Sequence, residues 1–199
     1  MVSGMTEAHD TRKYVAKYVE DLHSLVAHGL QPVSHQVELA SKRDHASAAA
    51  LIAELRSTLE KHERRLASRL DALGSSPTTA VQDTAASVAG FIAGVYNQVR
   101  SEAVSKSVRD DYTFVSHCSV SWLMLMSTAR ALGDHDTEEL AEEGYRDCAR
   151  LAMGIDRLMP MLVVEELQQD GFGAQPVTDW AANIVSSAWT RDDLTRRAA

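Results

Sequence analysis

The sequence predicts an all-α protein whose core is a four-helix bundle. Three observations lead there. Apolar residues recur at steps of three and four in four long segments, which is the period of a helix with one buried face. Ala, Leu and Val are common while aromatic residues make up only 6% of the 199-residue chain, a mix that favours helix. No stretch alternates apolar and polar residues as a half-buried strand would.

The first helix is expected over about Thr11–Leu39, with Tyr14, Val15, Tyr18, Val19, Leu22, Leu25, Val26 and Leu30 on its stripe. Pro32 removes a backbone donor and is expected to kink this helix or end its first part. The second runs over about Ala46–Leu73 on a leucine ladder, Leu55, Leu59, Leu66, Leu70 and Leu73, interrupted by His62. Gly74, Ser75, Ser76 and Pro77 form its stop.

An Ala-rich stretch, Thr79–Glu102, reads as a helix or two short ones connecting the halves of the bundle. A long apolar helix follows over about Val108–Leu132, with Phe114, Val115, Cys118, Trp122 and Leu125, ending at Gly133. Asp136 or Thr137 is expected to cap the next helix, which carries Leu140, Cys148, Leu151, Ile155 and Leu158 to Pro160. Two domain-level segments result: a bundle over 1–163, and a tail over 164–199 with a short amphipathic helix bearing Trp180, Ile184 and Trp189 that folds back on the bundle. Two long helices, a connector and two more long helices describe a bundle with one long crossover.

Composition narrows function by exclusion. A net charge of -8 and a pI near 5.4, with basic residues dispersed among acidic ones, argue against nucleic acid as a partner. No run approaches the roughly 18 apolar residues of a membrane span. The opening MVSGMTEAHDTRKY has no apolar signal core, so a cytoplasmic location is expected. Cys118 and Cys148 are too few for a disulfide framework and fall on apolar stripes, where reduced cysteine serves as a small hydrophobe. Of the eight histidines, His9, His45 and His135 read as solvated, and His23, His28 and His35 as surface or boundary residues.

Two segments, EKHERRLASRLDALGSSP and FVSHCSVSWLMLMSTARALGDHDTEELAEE, resemble the bacterial ferritin-like metal-binding stress proteins over about residues 12–160. The resemblance implies a ferritin-like four-helix bundle with a helical crossover connector and a short C-terminal helix. It also implies a di-metal centre of inward carboxylates and histidines, because two hard cations inside an apolar bundle need several anionic oxygens.

Most of those ligands are replaced. The family's Val-Glu-His-Tyr-Glu becomes Val115, Ser116, His117, Cys118 and Ser119, so both glutamates are serine. The first helix's glutamate corresponds to Gly29, and the last helix's acidic cluster is reduced to Asp147. His62, His117 and Asp147 remain.

The first functional expectation is therefore a ferritin-like protein without a standard di-iron site. It would act as a binding or scaffold protein in stress response, as a homodimer, with a central small-molecule pocket as one route and no enzymatic role favoured. Space left by Gly29, Ser116 and Ser119 would either be filled by Trp122, Met124 and Met126 or admit a ligand. The alternative is a single zinc or iron ion at a reduced His/Asp site, with Cys118 or Cys148 as further donors.

Overall fold

A computed structural model describes residues 2–41, 45–75, 88–96 and 103–188, with side-chain environments in the first helix described for residues 11–37. The described residues form six helices: α1 (Val2–Ser41), α2 (Ala46–Leu73), α3 (88–96), α4 (Val104–Leu132), α5 (His135–Gln169) and α6 (Thr178–Ala188). Helices α1 and α2 form one antiparallel pair and α4 and α5 the other. The pairs join through α1 against α4 and α2 against α5, with α2 and α4 on the diagonal. This is a ferritin-like bundle with a crossover.

Contacts at the two ends define the topology. At one end Arg69 of α2 reaches Asp134 at the start of α5, and Ser75 bonds Glu20 of α1. At the other end His45 meets Glu165 of α5 at 3.2 Å, and Ser105 Oγ donates to Glu166 at 2.5 Å. The chain therefore leaves α2 at one end of the bundle and enters α4 at the other. Of that crossover, only 88–96 lies within the described residues, and it is helical.

The core follows the heptad-like stripes. Val15, Val19, Leu22 and Val26 of α1 meet Ile52, Leu59, Leu66 and Leu70 of α2, with Phe114, Trp122 and Leu125 of α4 and Leu151, Ile155 and Leu162 of α5. Pro160 does not end its helix as expected: it lies inside α5, which continues to Gln169. Pro32 lies inside α1, which runs on to Ser41 without ending there. Tertiary packing over several turns on both sides outweighs the single backbone bond that proline removes. The start of α4 is Val104, a turn earlier than expected.

Both expected glycine stops are present. Gly74 and Gly133 take left-handed conformations at φ 78° and 75°, donating back to carbonyls of the last turn. The cap of α5 is Asp134, not Asp136 or Thr137. Its side chain accepts from the Thr137 N–H at 3.1 Å and from the Thr137 hydroxyl at 2.8 Å. Arg69 completes the knot, donating to Asp134 at 2.5 Å and to Thr137 Oγ1 at 2.7 Å. Asp134→Ala is therefore expected to cost about 1–2 kcal/mol in urea unfolding, through cap and ion pair together. Asp134→Asn, which keeps an acceptor, should cost less.

The tail helix α6 lies against α5 but buries none of its residues. Trp180 and Ile184 are exposed, as is Phe172 before them. Trp189 lies outside the described residues. Among the described residues, no helix is long and apolar enough to cross a membrane.

Candidate functional site

Of the residues that the sequence marks, the structure brings His62 and Asp147 together. His62 sits on the buried stripe of α2 because its neighbours at helical spacing, Leu59, Leu66 and Leu70, are core residues. Asp147 lies on the inner face of α5, beside Cys148 and between Gly144 and Leu151. The His62 Nε2 to Asp147 Oδ2 distance is 3.0 Å, and both side chains are almost wholly buried.

Lys61 also donates to Asp147 Oδ2, at 2.9 Å, and Arg150 to Oδ1. Burial pushes the Asp147 carboxyl up, but the hydrogen bonds from Lys61 and His62 outweigh it and hold the group below the usual carboxylate range. Asp147 is thus ionised at neutral pH, and Nε2 of His62 is the atom that carries a proton. Burial lowers the His62 pKa against the opposing pull of Asp147, so the ring is neutral and Nδ1 is a bare acceptor. That Nδ1 is buried and has no partner among the described residues.

Trp122 of α4 closes the cluster. Its ring meets His62 edge-on, with centroids 5.0 Å apart, and its own Nε1 is buried with no protein partner. The indole lies directly over Gly144, where an added Cβ would come within 2.3 Å of the ring. His23 Nδ1 and Ser24 Oγ of α1 are further buried polar atoms without protein partners. His23 is buried rather than a surface residue, and burial lowers its pKa while Glu63 across the α1–α2 interface opposes this.

The other marked residues fall elsewhere. His117 is exposed on α4 and stacks on Phe91 of α3, centroids 4.2 Å apart. Ser116 is half-buried and hydrogen-bonds Tyr112, and Ser119 is likewise half-buried. Cys118 and Cys148 are buried free thiols, pushed up by burial, Cys148 to about 12, so neither is a ready thiolate. At Gly29 the space is taken: an added Cβ would lie 2.1 Å from Phe114 Cζ. Ring atoms of Phe114 and Trp122 thus occupy the inner positions beside glycine. Met124, one of the expected filling residues, is exposed.

A second buried polar cluster has no counterpart in the sequence reading. Asp111 of α4 is 1% exposed and accepts from the Tyr96 hydroxyl of α3 at 3.0 Å. Gln36 of α1 completes it, its amide nitrogen lying 2.7 and 3.0 Å from the two carboxylate oxygens in one of its two orientations. The signal was weak in sequence, because Asp110–Asp111 at the start of an apolar helix looks like ordinary dipole-favouring acid.

The residues present do not fit a di-metal centre. Among the described residues, no three His, Cys, Asp or Glu side chains converge as a metal site would require. The charge of Asp147 is met by the Lys61 and Arg150 side-chain cations and by the N–H of neutral His62, in place of metal cations. What the cluster can do chemically is present one neutral imidazole nitrogen, oriented by a carboxylate, inside a helical bundle. The class defined by fold and site is a ferritin-like bundle with a buried histidine–aspartate pair. No family model, curated protein or solved structure matches the chain.

Proposed function

We propose that this chain is a ferritin-like protein of the metal-binding stress-protein type whose working centre is the reduced His62–Asp147 pair. Its ligand is a single zinc or iron ion. One observation carries the reading: His62 Nδ1 is buried and unpartnered while Nε2 is held by the Asp147 carboxylate. Metal-bound histidines are commonly oriented in this way, with one ring nitrogen on a carboxylate and the other on the ion. His62 Nδ1 would be the protein's donor, and with no second and third ligand converging on it among the described residues the ion would be held more weakly than in a closed four-donor site.

The test is metal content by elemental mass spectrometry. Protein loaded with zinc or iron and then desalted is expected to carry up to one equivalent, lost in His62→Ala. Asp147→Asn is expected to weaken binding by about 10–100-fold, because the imidazole loses its ionised orienting partner. Metal content unchanged by His62→Ala would sink the proposal.

A second reading has its own observation. Phe114 over Gly29 and Trp122 over Gly144 fill the bundle centre with ring atoms. On that reading the chain is a metal-free scaffold or binding protein, and loading leaves no equivalent on the desalted protein.

A further inference from the structure

Helix α6 has 11 residues and buries none of them. Isolated helices shorter than about 12–15 residues are marginal in water, so one this short is normally held by packing. Here the packing is partial. The helix lies against α5, and Ala181 and Val185, four apart, are half-buried. Its larger apolar side chains are on another face: Val177, Trp180 and Ile184, spaced by three and four, all point outward. Trp180 is 68% exposed and Ile184 53%. The loop before the helix is tied down. Gly171 turns the chain at φ 85°, the Phe172 N–H donates to the Leu167 carbonyl at 2.9 Å, and Gln168 Nε2 donates to the Ala174 carbonyl at 3.0 Å. The fold thus spends a built loop on presenting an apolar helix face to solvent.

We propose that the face of α6 formed by Val177, Trp180 and Ile184 docks a basic amphipathic helix of another protein. The partner's apolar side would lie on Trp180 and Ile184, and its lysines or arginines would face Asp170 and Asp179. Charge selects this occupant. Residues 158–190 contain Glu165, Glu166, Asp170 and Asp179 and no Lys, Arg or His, and Asp170 and Asp179 are exposed. A cationic partner is complementary to that surround. A second copy of the chain would set its own acids against these, and like charges brought together across an interface oppose association. A membrane surface fits no better, because helices that lie on anionic lipid carry Lys and Arg beside their apolar face, and this segment has neither.

The size of the surface sets the strength of the contact. At 1.5 Å per residue α6 is about 16 Å long, so a helix laid along it buries less than the roughly 1,200 Å² of a stable complex. The contact is therefore transient, with a dissociation constant in the micromolar range. Trp180 is its anchor, since exposed tryptophan is the side chain that most often carries the energy of a small interface. Docking would also lengthen the packed surface of α6 and so stabilise the helix. This inference is independent of whether the His62–Asp147 pair binds metal.

The experiment is fluorescence anisotropy with the full chain and a labelled synthetic peptide of about 18 residues, leucines on one helical face and lysines elsewhere. Wild type is expected to bind it in the micromolar range at physiological salt. Trp180→Ser/Ile184→Ser, which leaves every charge in place, should weaken binding by about 10-fold or more. Asp170→Asn/Asp179→Asn should weaken it by a smaller factor and flatten its dependence on salt. All four positions are exposed, so far-UV circular dichroism of both variants should match wild type. No binding of the lysine peptide overturns the proposal, as does equal binding of its glutamate counterpart or of a scrambled peptide with no apolar face. Binding unchanged by Trp180→Ser/Ile184→Ser overturns it too. So does flotation of wild type, but not of that variant, with phosphatidylcholine/phosphatidylserine vesicles, which would assign the face to a membrane. Self-association in sedimentation velocity that the same variant abolishes would assign it to a second copy, and overturns the proposal equally.

Discussion

Asp111→Asn is expected to raise the unfolding temperature far more at pH 8 than at pH 5. Burial pushes the Asp111 carboxyl up to about 8, and neighbouring Asp110 adds to this. The hydrogen bonds from Tyr96 and Gln36 oppose burial without overcoming it. The folded-state pKa therefore lies above the unfolded value of 3.8. Between about pH 4 and pH 8 the folded chain keeps a proton that the unfolded chain releases, so stability falls as pH rises through that window and levels off above it.

At about 1.4 kcal/mol per pH unit the upper bound on this loss is on the order of 5 kcal/mol. Asparagine keeps the shape, can accept the Tyr96 and Gln36 hydrogen bonds through its amide oxygen, and cannot ionise. A gain of roughly 2–3 kcal/mol at pH 8 corresponds to a rise of about 4–12 °C for a chain of this size. Equal shifts at pH 5 and pH 8, read by calorimetry, would show that the carboxyl is not held protonated. The same cluster ties α1, α3 and α4 together, so its ionisation acts on the seating of the crossover helix as well as on global stability.

Gly29→Ala is expected to destabilise the bundle by about 1–3 kcal/mol, and Gly29→Glu by more. On helix propensity alone the alanine change should stabilise by up to about 1 kcal/mol. Sterics reverse the sign: the new Cβ would lie 2.1 Å from Phe114 Cζ and within 2.8 Å of two further ring atoms. Phe114 is fully buried, so the ring has nowhere to retreat. Phe114→Ala alone should cost about 3–5 kcal/mol through the cavity it leaves. In the double variant Gly29→Ala/Phe114→Ala the two losses should not add, because the added methyl enters the space that the ring vacated. Strict additivity in urea unfolding would mean that the two positions do not share that space. A glutamate at position 29 would likewise meet Phe114 and could not project into the bundle centre while the ring stands there.

Much of the bundle was legible because helix period, leucine ladders and glycine stops act locally. The α2 stripe and its end at Gly74, and the α4 stripe and its end at Gly133, lie where the pattern places them. Pro160 does not stop α5 because the rule that proline ends a helix is local, while α5 is held along its length by packing on its neighbours. At the site, His62 was marked as a break in a ladder and Asp147 as a surviving acid, and the structure joins them at 3.0 Å. His117 was marked with them but faces the other way, toward Phe91, because one residue along a helix turns a side chain by about 100°. Lys61 and Arg150 as partners of Asp147 were invisible to periodicity, since long flexible side chains reach across helices from the surface.

The sequence by itself determined the helices, their buried faces and the long crossover. Each of these follows from residue type and spacing within one segment. Only the tertiary structure decided that Phe114 and Trp122 lie against glycines of facing helices, and that Asp111 is buried with Tyr96 and Gln36. It also decided that Trp180 and Ile184 of α6 point outward. These depend on the rotation of each helix about its axis and on its register against the others. Both are set by how side chains from separate segments fill one shared interior.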